Sequence, residues 1–314
     1  MEQRLRLAAI VNPAAGSDGD SLVDALASHA TADVSVLRTT GPGDAADLGY
    51  KLAAEATPPD VVVSVGGDGT AFEVASGLRR AHESGAGPVP PLLVAPGGTG
   101  NSVYRGLWND APWEDVVREV TGGRARTRAL DLARIEQNDQ LVVLGSGSGL
   151  FAQTLLKAAE LPGRGRELLM DAALAAMAEH EPYLGRVSVD GRVIHEGGIV
   201  ETIMGGFRYR GGLLNLVPLS VLDDGLLDIT VVTSLADMNA FAEAALGGNV
   251  YDVPGIRQGR GRHLTVERLD GQPLLFEHDG EVMPRTTPVC DLHVLPGALN
   301  VLTPSEAPAW FRER

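Results

Sequence analysis

The chain has 314 residues, of which 44% are hydrophobic, so it is long enough for two domains of ordinary size with separate cores. Its 41 acidic residues outnumber its 26 lysines and arginines, and the resulting formal charge of −15 argues against general nucleic-acid binding. The single cysteine, Cys290, excludes an intrachain disulfide and favours a reducing, cytoplasmic location.

The first part of the chain alternates apolar strand-like runs with alanine-rich helix-like segments. Such alternation predicts βαβ units, and continuously apolar strands are typical of a parallel sheet covered on both faces. We therefore expect a Rossmann-like α/β domain over residues 1–126, to which the tail at 298–314 returns. The predicted strands are 5–11, 33–39, 60–65 and 91–96, and the predicted helices are about 19–30, 43–56 and 70–83.

The second part of the chain, residues 127–297, is a succession of strand-like runs separated by turn residues, which predicts an antiparallel β-sandwich. Two helical insertions are expected, at 151–178 and at about 235–246. The stretch "GSGSGLF" at 145–151 is interpreted as close backbone packing. The histidines show no spacing along the chain that is typical of a metal site.

The most informative stretch is "VVVSVGGDGT", where an apolar strand meets three glycines and an acid. Gly66, Gly67 and Gly69 lack a Cβ atom, so the backbone there can approach a ligand closely. Thr70 opens a helix whose N–H groups favour an anion such as phosphate. Asp68 would repel phosphate unless a cation such as Mg²⁺ lies between them. The structural alternative is a glycine turn in which Asp68 caps its own helix.

Three more loops follow predicted strands. In "PGGTGN", Gly98 allows a sharp turn, and Thr99 and Asn101 offer hydrogen bonds suited to a nucleotide. Asn12 in "NPAAG" and Thr39 in "TTGPGDA" are weaker signals, since each loop taken alone is more easily explained as a simple connection. Because ligands bind beyond the carboxyl ends of parallel strands, the four loops together predict one nucleotide site.

Acidic residues of the second domain form two further candidates. In "FEHDGEVMP", Asp279 and Glu281 can act as general base and metal ligand, although "DG" is also a strong hairpin-turn signal. In "VLDDGLLDI", Asp223 and Asp224 lie in a predicted turn and can also ligate a cation.

In this order, the motifs resemble the diacylglycerol kinase catalytic-domain family, which includes bacterial diacylglycerol kinases and sphingosine kinases. "GGDGT" alone is shared with NAD kinases and phosphofructokinases, so the specificity of the resemblance comes from the whole set. The sequence departs from the family pattern at Phe72 and Ser102, where the family often has Asn and usually has Asp. The motifs that carry the resemblance are "IVNPAAG", "VGGDGTAFEV", "APGGTGN", "DDGLLD", "HDGE" and "PGALNVL".

The resemblance implies a lipid kinase that uses ATP and Mg²⁺ to phosphorylate a hydroxyl of a diacylglycerol-like or sphingoid lipid, with peripheral membrane contact. It makes Asp279 or Glu281, and Asp279 first, the group that takes the hydroxyl proton. It places Asp68 in the Mg²⁺ network, and Val221, Asp224 and Leu226 around a structural Mg²⁺. The implied nucleotide contacts are Asn12, Thr39, Gly66, Gly67, Asp68, Gly69, Thr70, Gly98, Thr99 and Asn101.

Two alternative functions stay open on the sequence: a kinase of a soluble acceptor in the manner of NAD kinase, and a non-catalytic nucleotide- or lipid-binding protein. Acceptor choice is expected to depend on residues 151–182, an amphipathic segment that either contacts membrane or packs on the sandwich. A homodimer is compatible with the sequence, and no nucleic-acid partner is expected.

Overall fold

The structure, a computed structural model, describes residues 4–16, 18–163, 165–247 and 249–312. The chain forms two compact units, Met1–Leu130 with Gly297–Arg314, and Asp131–Pro296. The boundary predicted at residue 126 falls at the start of the strand Arg126–Ile135, along which the chain passes from the first unit to the second.

The first unit contains a parallel sheet with strand order β2-β1-β3-β4, which confirms the predicted Rossmann-like architecture. The tail returns to this unit, where Val301 pairs in parallel with Leu92. The strands are β1 (Leu5–Val11), β2 (Ala32–Arg38), β3 (Val61–Gly66) and β4 (Leu92–Pro96). The helices are α1 (Gly19–Ala27), α2 (Asp44–Ala53), α3 (Asp68–Glu83), α4 (Ser102–Trp108) and α5 (Trp113–Thr121).

The sequence of β3 explains its central place in the sheet. All six residues of "VVVSVG" are buried, as expected for a strand with both faces covered. Helix α3 packs closely against α2 at Gly77, which has no side chain. A Cβ atom at this position would be only 2.1 Å from the carbonyl oxygen of Ala46. The order β2-β1-β3-β4 reverses direction between β1 and β3, and ligands of doubly wound sheets bind beyond the strands at such a switch point.

The second unit is built on two sheets, which confirms the predicted β-sandwich. The first has the order β18-β15-β8-β9 with β5 beside β18, and the second has the order β14-β13-β10-β7-β16-β17. The strands of the first sheet are β5 (Arg126–Ile135), β6 (Leu141–Val142), β8 (Tyr183–Val189), β9 (Arg192–Ile199), β15 (His263–Arg268) and β18 (Val289–Thr303). Those of the second are β7 (Ser146–Gly149), β10 (Glu201–Gly205), β13 (Leu227–Val232), β14 (Ile256–Gly261), β16 (Phe276–His278) and β17 (Glu281–Val282).

Alternation along the strands separates two cores. Val266 and Leu292 of the first sheet meet Met204 and Ile229 of the second in the core between the sheets. Ile203, the neighbour of Met204 on β10, points to the opposite face and joins a core formed with the helices. These helices are α6 (Leu150–Glu160), α7 (Gly165–Glu179) and α8 (Met238–Gly247). A small ribbon, β11 (Tyr209–Arg210) with β12 (Leu214–Asn215), completes the unit.

The first helical insertion, predicted at residues 151–178, consists of two helices, α6 and α7. Helix α6 ends at Glu160, and Pro162 and Gly163 follow, the latter with φ of +125°. Proline lacks the N–H that a continuing helix needs, and this φ is open to glycine but not to most other residues.

Among the described residues, no helix has the length and apolar character needed to cross a membrane.

Candidate functional site

Three loops of the first unit meet beyond the carboxyl ends of β1, β3 and β4. The Asn12 side-chain amide donates to Thr70 Oγ1 at 3.0 Å, which ties the loop after β1 to the start of α3. The backbone N–H of Gly97 donates to the Gly66 carbonyl at 2.9 Å, which ties the loop after β4 to β3. The structure therefore brings three of the four predicted loops together, those after β1, β3 and β4, at the switch point of the sheet.

Most glycines of these loops serve contact between the loops themselves. A Cβ atom at Gly97 would lie 2.7 Å from the Gly66 nitrogen, and one at Gly98 would lie 2.3 Å from the Gly67 Cα. Real side chains do not reach such distances, so Gly97 and Gly98 are required by backbone packing. Gly69 differs, because it is exposed and a Cβ there would meet nothing within 4 Å. Gly69 is the glycine that stays open to a ligand.

This difference predicts opposite results for two glycine-to-alanine substitutions. Gly98→Ala is expected to lower the thermal unfolding midpoint, since the two loops must separate; overpacking costs about 1–3 kcal/mol. Gly69→Ala is expected to leave the midpoint unchanged or raised, because alanine is favoured over glycine in a helix. If nucleotide phosphate approaches the backbone at Gly69, the same variant binds ATP more weakly, which calorimetric titration measures. Unchanged ATP affinity in Gly69→Ala would contradict this placement of the phosphates.

Asp68 caps a helix other than its own. Its carboxylate accepts hydrogen bonds from the backbone N–H groups of Ser102 (3.0 Å) and Val103 (2.9 Å), the first residues of α4. The N-cap of α3 is Gly67, so the structural alternative derived from the sequence was wrong about which helix is capped. Glu73 makes the equivalent contact on the other side of α3, accepting from Gly43 and Ala45 at the start of α2.

The other predicted nucleotide contacts range from buried through half-buried to exposed. Thr39 and Thr70 are buried, and the N–H of Thr39 donates to the carbonyl of Val11 at 2.9 Å. Asn101 has φ of +54°, and its side chain bonds both the N–H and the carbonyl of Gly98. Of the ten residues, Gly69 and Thr99 are the exposed ones. The buried members shape the loops, and the exposed members face solvent where a ligand can reach them.

The "DGE" segment of the second unit forms the turn of a hairpin between β16 and β17, with positive φ at Asp279 (+50°) and Gly280 (+88°). The Asp279 side chain is only 2% exposed. Its carboxylate accepts from the N–H groups of Val143 (3.0 Å) and Leu144 (2.5 Å). Glu281, by contrast, is exposed. The turn therefore supplies one anchored carboxylate and one exposed carboxylate, and the choice of base between them stays a prediction.

The turn after Val221 holds the predicted structural cation site. Asp224 has a side chain only 5% exposed, and its Oδ1 accepts from the N–H of Leu226 at 3.0 Å. Its Oδ2 lies 3.6 Å from a guanidinium nitrogen of Arg260. The turn thus brings Asp224 and Leu226 together as predicted, but a protein cation already faces one carboxylate oxygen.

Two further buried carboxylates, Asp131 and Asp228, adjoin this turn, and neither was named as a candidate ligand from the sequence. Asp131 on β5 accepts from the N–H of Gly225 at 2.5 Å. Asp228 on β13 bonds Arg260, and its Oδ2 is buried without a hydrogen-bond partner. Burial raises the pKa of Asp228 against the opposing effect of Arg260. Asp228 belongs to the motif "DDGLLD", whereas the signal for Asp131 is an acid inside an otherwise apolar strand, as in "LDLA". Three buried carboxylates, Asp131, Asp224 and Asp228, therefore lie at or beside this turn.

Family models match both halves of the chain. The model "Diacylglycerol kinase catalytic domain" matches residues 6–135, and "YegS C-terminal NAD kinase beta sandwich-like domain" matches residues 146–303, half of the chain. The chain belongs to the diacylglycerol kinase catalytic-domain family. Membership confirms the predicted enzyme class, a phosphotransferase with an alcohol acceptor.

Relatives in the diacylglycerol kinase family align over most of the chain. A "Probable lipid kinase YegS-like" of Xanthomonas oryzae pv. oryzae (strain MAFF 311018) is 28% identical over 269 residues, 82% of this chain and 84% of that protein. A protein of the same name from Stenotrophomonas maltophilia (strain K279a) is 27% identical, covering 79% and 80%. The crystal structure of a diacylglycerol kinase from Bacillus anthracis str. Sterne is 22% identical, with a TM-score of 0.72 over 99% of each chain, and shows the same fold.

A second pair of acids in this diacylglycerol kinase-like chain lies in the sandwich unit, on either side of Gly147. Carboxylate oxygens of Glu201 and Glu277 lie 3.1 and 3.2 Å from the position of a Cβ on that glycine. A Cβ on Gly149 would lie 2.2 Å from the Val200 carbonyl oxygen, so the prediction of close backbone packing for "GSGSG" is confirmed. Burial raises the pKa of Glu277 to about 7, and burial together with the neighbouring Glu277 raises that of Glu201.

Glu277 gives a prediction about pH. Its pKa is 4.5 in the unfolded chain and about 7 in the folded one, so the unfolded chain releases the proton first as pH rises. The free energy of unfolding should therefore fall between about pH 4.5 and pH 7, with about 3 kcal/mol from this residue. Glu277→Gln is expected to remove that part of the slope, measured by urea unfolding at pH 5 and pH 8. The control is Glu243→Gln on the exposed side of α8, which should leave the slope unchanged.

The second unit also contains a cavity of about 400 Å³. Tyr183, Leu156 and Leu275 form apolar parts of its wall, and Lys157, bonded to Glu179 at 2.9 Å, lies among its charged parts. Sites for small ligands in proteins have volumes of this order. The other residues around it are Gly149, Gln153, Glu160, His180, Glu181, Arg268 and Arg285.

Proposed function

We propose that this protein is a lipid kinase that transfers the terminal phosphoryl group of ATP, with Mg²⁺, to a hydroxyl of a diacylglycerol-like or sphingoid lipid. The observation that carries the proposal is the meeting of the loops after β1, β3 and β4 at the switch point, beside the exposed start of α3. Family membership adds the reaction class.

The start of α3 fits a phosphate. The first N–H groups of a helix have no partner within the helix, and the helix dipole favours negative charge there. Gly69 is exposed in this first turn, and a Cβ atom on it would meet nothing within 4 Å. Phosphoryl transfer depends chiefly on positioning and charge neutralisation, which such a cradle supplies.

The acids present fit Mg²⁺ at two places. Asp68 would hold the ion that accompanies the nucleotide, and it also positions the Asn101–Ser102 turn by capping α4. Asp224, with the carbonyl groups of Val221 and Leu226, would hold the structural ion, supported by the closeness of the buried carboxylates Asp131 and Asp228 to the same turn. Bound Mg²⁺ supplies neutralisation of the phosphate charges. Of the "DGE" acids, Asp279 is proposed as the group that accepts the hydroxyl proton.

The acceptor is proposed to be a lipid because the second unit combines a cavity with an exposed apolar helix face. Helix α7, within the predicted acceptor segment, exposes 62% of Met170 and 67% of Leu174. Exposed apolar side chains on a helix suit contact with a lipid surface. The cavity beside α6 and α7 has a volume suited to a headgroup or to part of one acyl chain.

The test is an acceptor screen with radiolabelled ATP and Mg²⁺. Diacylglycerol and sphingoid bases are presented in mixed micelles, and NAD is presented in buffer. Transfer of the label to a lipid, if this transfer depends on Mg²⁺, supports the proposal. Label in NAD alone would replace it with a kinase of a soluble acceptor. ATP binding without transfer to any acceptor would replace it with a nucleotide-binding role.

A further inference from the structure

Two histidines of the second unit meet on the outward face of the sandwich. His263 on β15 and His293 on β18 stand directly opposite each other in an antiparallel ladder. Their rings are stacked, with centroids 4.0 Å apart and planes 14° apart. The alternating neighbours Leu264 and Leu292 point into the core, so both imidazoles lie on the side away from it and are partly exposed.

A carboxylate from a third strand joins this pair. Glu136 follows β5, and its backbone N–H donates to the carbonyl of Asp291 on β18 at 3.0 Å. Its Oε2 lies 3.0 Å from Nε2 of His293. One ligand atom each from Glu136, His263 and His293 lie within 4.8 Å of one another. Three adjacent strands therefore present two imidazoles and a carboxylate at one place.

The surrounding hydrogen bonds orient His263 as a ligand. Its Nε2 lies 2.9 Å from Oδ1 of Asp291, which sets the ring to donate from Nε2 and leaves Nδ1 with a lone pair. Asp291 is itself fixed by Thr265 Oγ1 at 2.5 Å and by the Gln137 amide at 2.8 Å. Metal-binding histidines commonly carry such a carboxylate on the second ring nitrogen.

We propose that Glu136, His263 and His293 form a surface site for a divalent transition-metal ion such as Zn²⁺, with Asp291 as the positioning residue. Imidazole nitrogens favour Zn²⁺, Cu²⁺ and Ni²⁺ over Mg²⁺, and three protein ligands leave one position for water. Tetrahedral Zn²⁺ with bonds of about 2.0–2.1 Å needs ligand atoms about 3.3 Å apart. The three ligand atoms lie within 4.8 Å of one another, so Zn²⁺ binding requires rotation of these partly exposed side chains. The site is separate in kind from the Mg²⁺ sites of the proposed kinase and does not depend on that function.

The test is calorimetric titration of Zn²⁺ into the untagged full-length protein in excess Mg²⁺, with thermal midpoints to verify folding. One saturable site is expected. We expect His263→Gln and His293→Gln each to weaken binding at least 10-fold. Asp291→Asn should weaken it about 10-fold while leaving the ligands in place. The matched control is His195→Gln, which changes a half-buried histidine of β9 that bonds the Gly198 carbonyl, and this variant should bind Zn²⁺ as the wild type does.

Three results would overturn the proposal. These are no saturable Zn²⁺ binding by the wild type, unchanged affinity in a folded double variant His263→Gln/His293→Gln, and equal loss of affinity in His195→Gln. An increase of the thermal midpoint with Zn²⁺ in the wild type, absent from the double variant, would support the proposal by a second measurement.

Discussion

Replacing Asp68 by asparagine is expected to lower kcat by at least about 100-fold, the effect of losing one electrostatic contact to the transferring group. Asparagine keeps an oxygen that can accept from the start of α4, so the fold should persist, but it removes the charge that Mg²⁺ requires. Asp68→Ala should abolish transfer and also destabilise the protein by about 1 kcal/mol, since the cap on α4 is lost. ADP release and thermal unfolding measure the two effects separately.

Glu73 is the matched control, because it is an α3 carboxylate that caps a neighbouring helix without being implied in catalysis. Glu73→Ala is expected to destabilise the protein by about the same amount and to retain turnover. If Asp68→Asn and Glu73→Ala lower kcat equally, Asp68 acts through helix capping alone, and its assignment to the metal network is wrong.

Replacing Asp279 by asparagine is expected to lower kcat by about 100- to 10,000-fold, the usual contribution of a general base, with ATP binding retained. Asparagine keeps one acceptor for the N–H groups of Val143 and Leu144. Asp279→Ala leaves both groups buried without a partner, which costs about 1–3 kcal/mol for each. The asparagine variant is therefore the informative one, and single-turnover transfer with a lipid acceptor measures the chemical step.

Glu281 provides the comparison for Asp279, since it lies in the same hairpin and is exposed. Glu281→Gln is expected to lower kcat less than 10-fold, well below the effect expected of a lost base. The reverse pattern, an active Asp279→Asn and an inactive Glu281→Gln, would make Glu281 the base and Asp279 the residue that positions the turn.

Local patterns were sufficient for the four parallel strands and for α1, α2 and α3 of the first unit, whereas α4 and α5 were not predicted. The predicted strand at 5–11 coincides with β1, the predictions at 33–39 and 60–65 are each displaced by one residue from β2 and β3, and that at 91–96 begins one residue before β4. The buried strands β3 and β4 end in Gly66 and Pro96, so their limits are visible in the sequence. In the second unit, the start of α8 was harder to predict than its end, since the 3₁₀ turn Leu235–Asp237 precedes the α-helix.

Roles that depend on partners distant in sequence were not visible. Gly97 and Gly98 look like ligand-binding glycines, yet they are required because β3 and β4 place their loops in contact. A glycine-rich pattern predicts that another group approaches the backbone closely, but it does not show whether that group is a ligand or another loop of the protein. The burial of Glu277 and Glu201 is equally invisible, because each is an ordinary acid in its own strand.

The sequence by itself determined the two-domain architecture, the family and the loops that a nucleotide would meet, because hydrophobic period, turn residues and motif order are local properties. The tertiary structure decided which helix Asp68 caps, how Asp279 is anchored, and that His263 and His293 stand side by side although they are far apart in the chain. Strand pairing sets these neighbours, and strand pairing depends on contacts between distant segments.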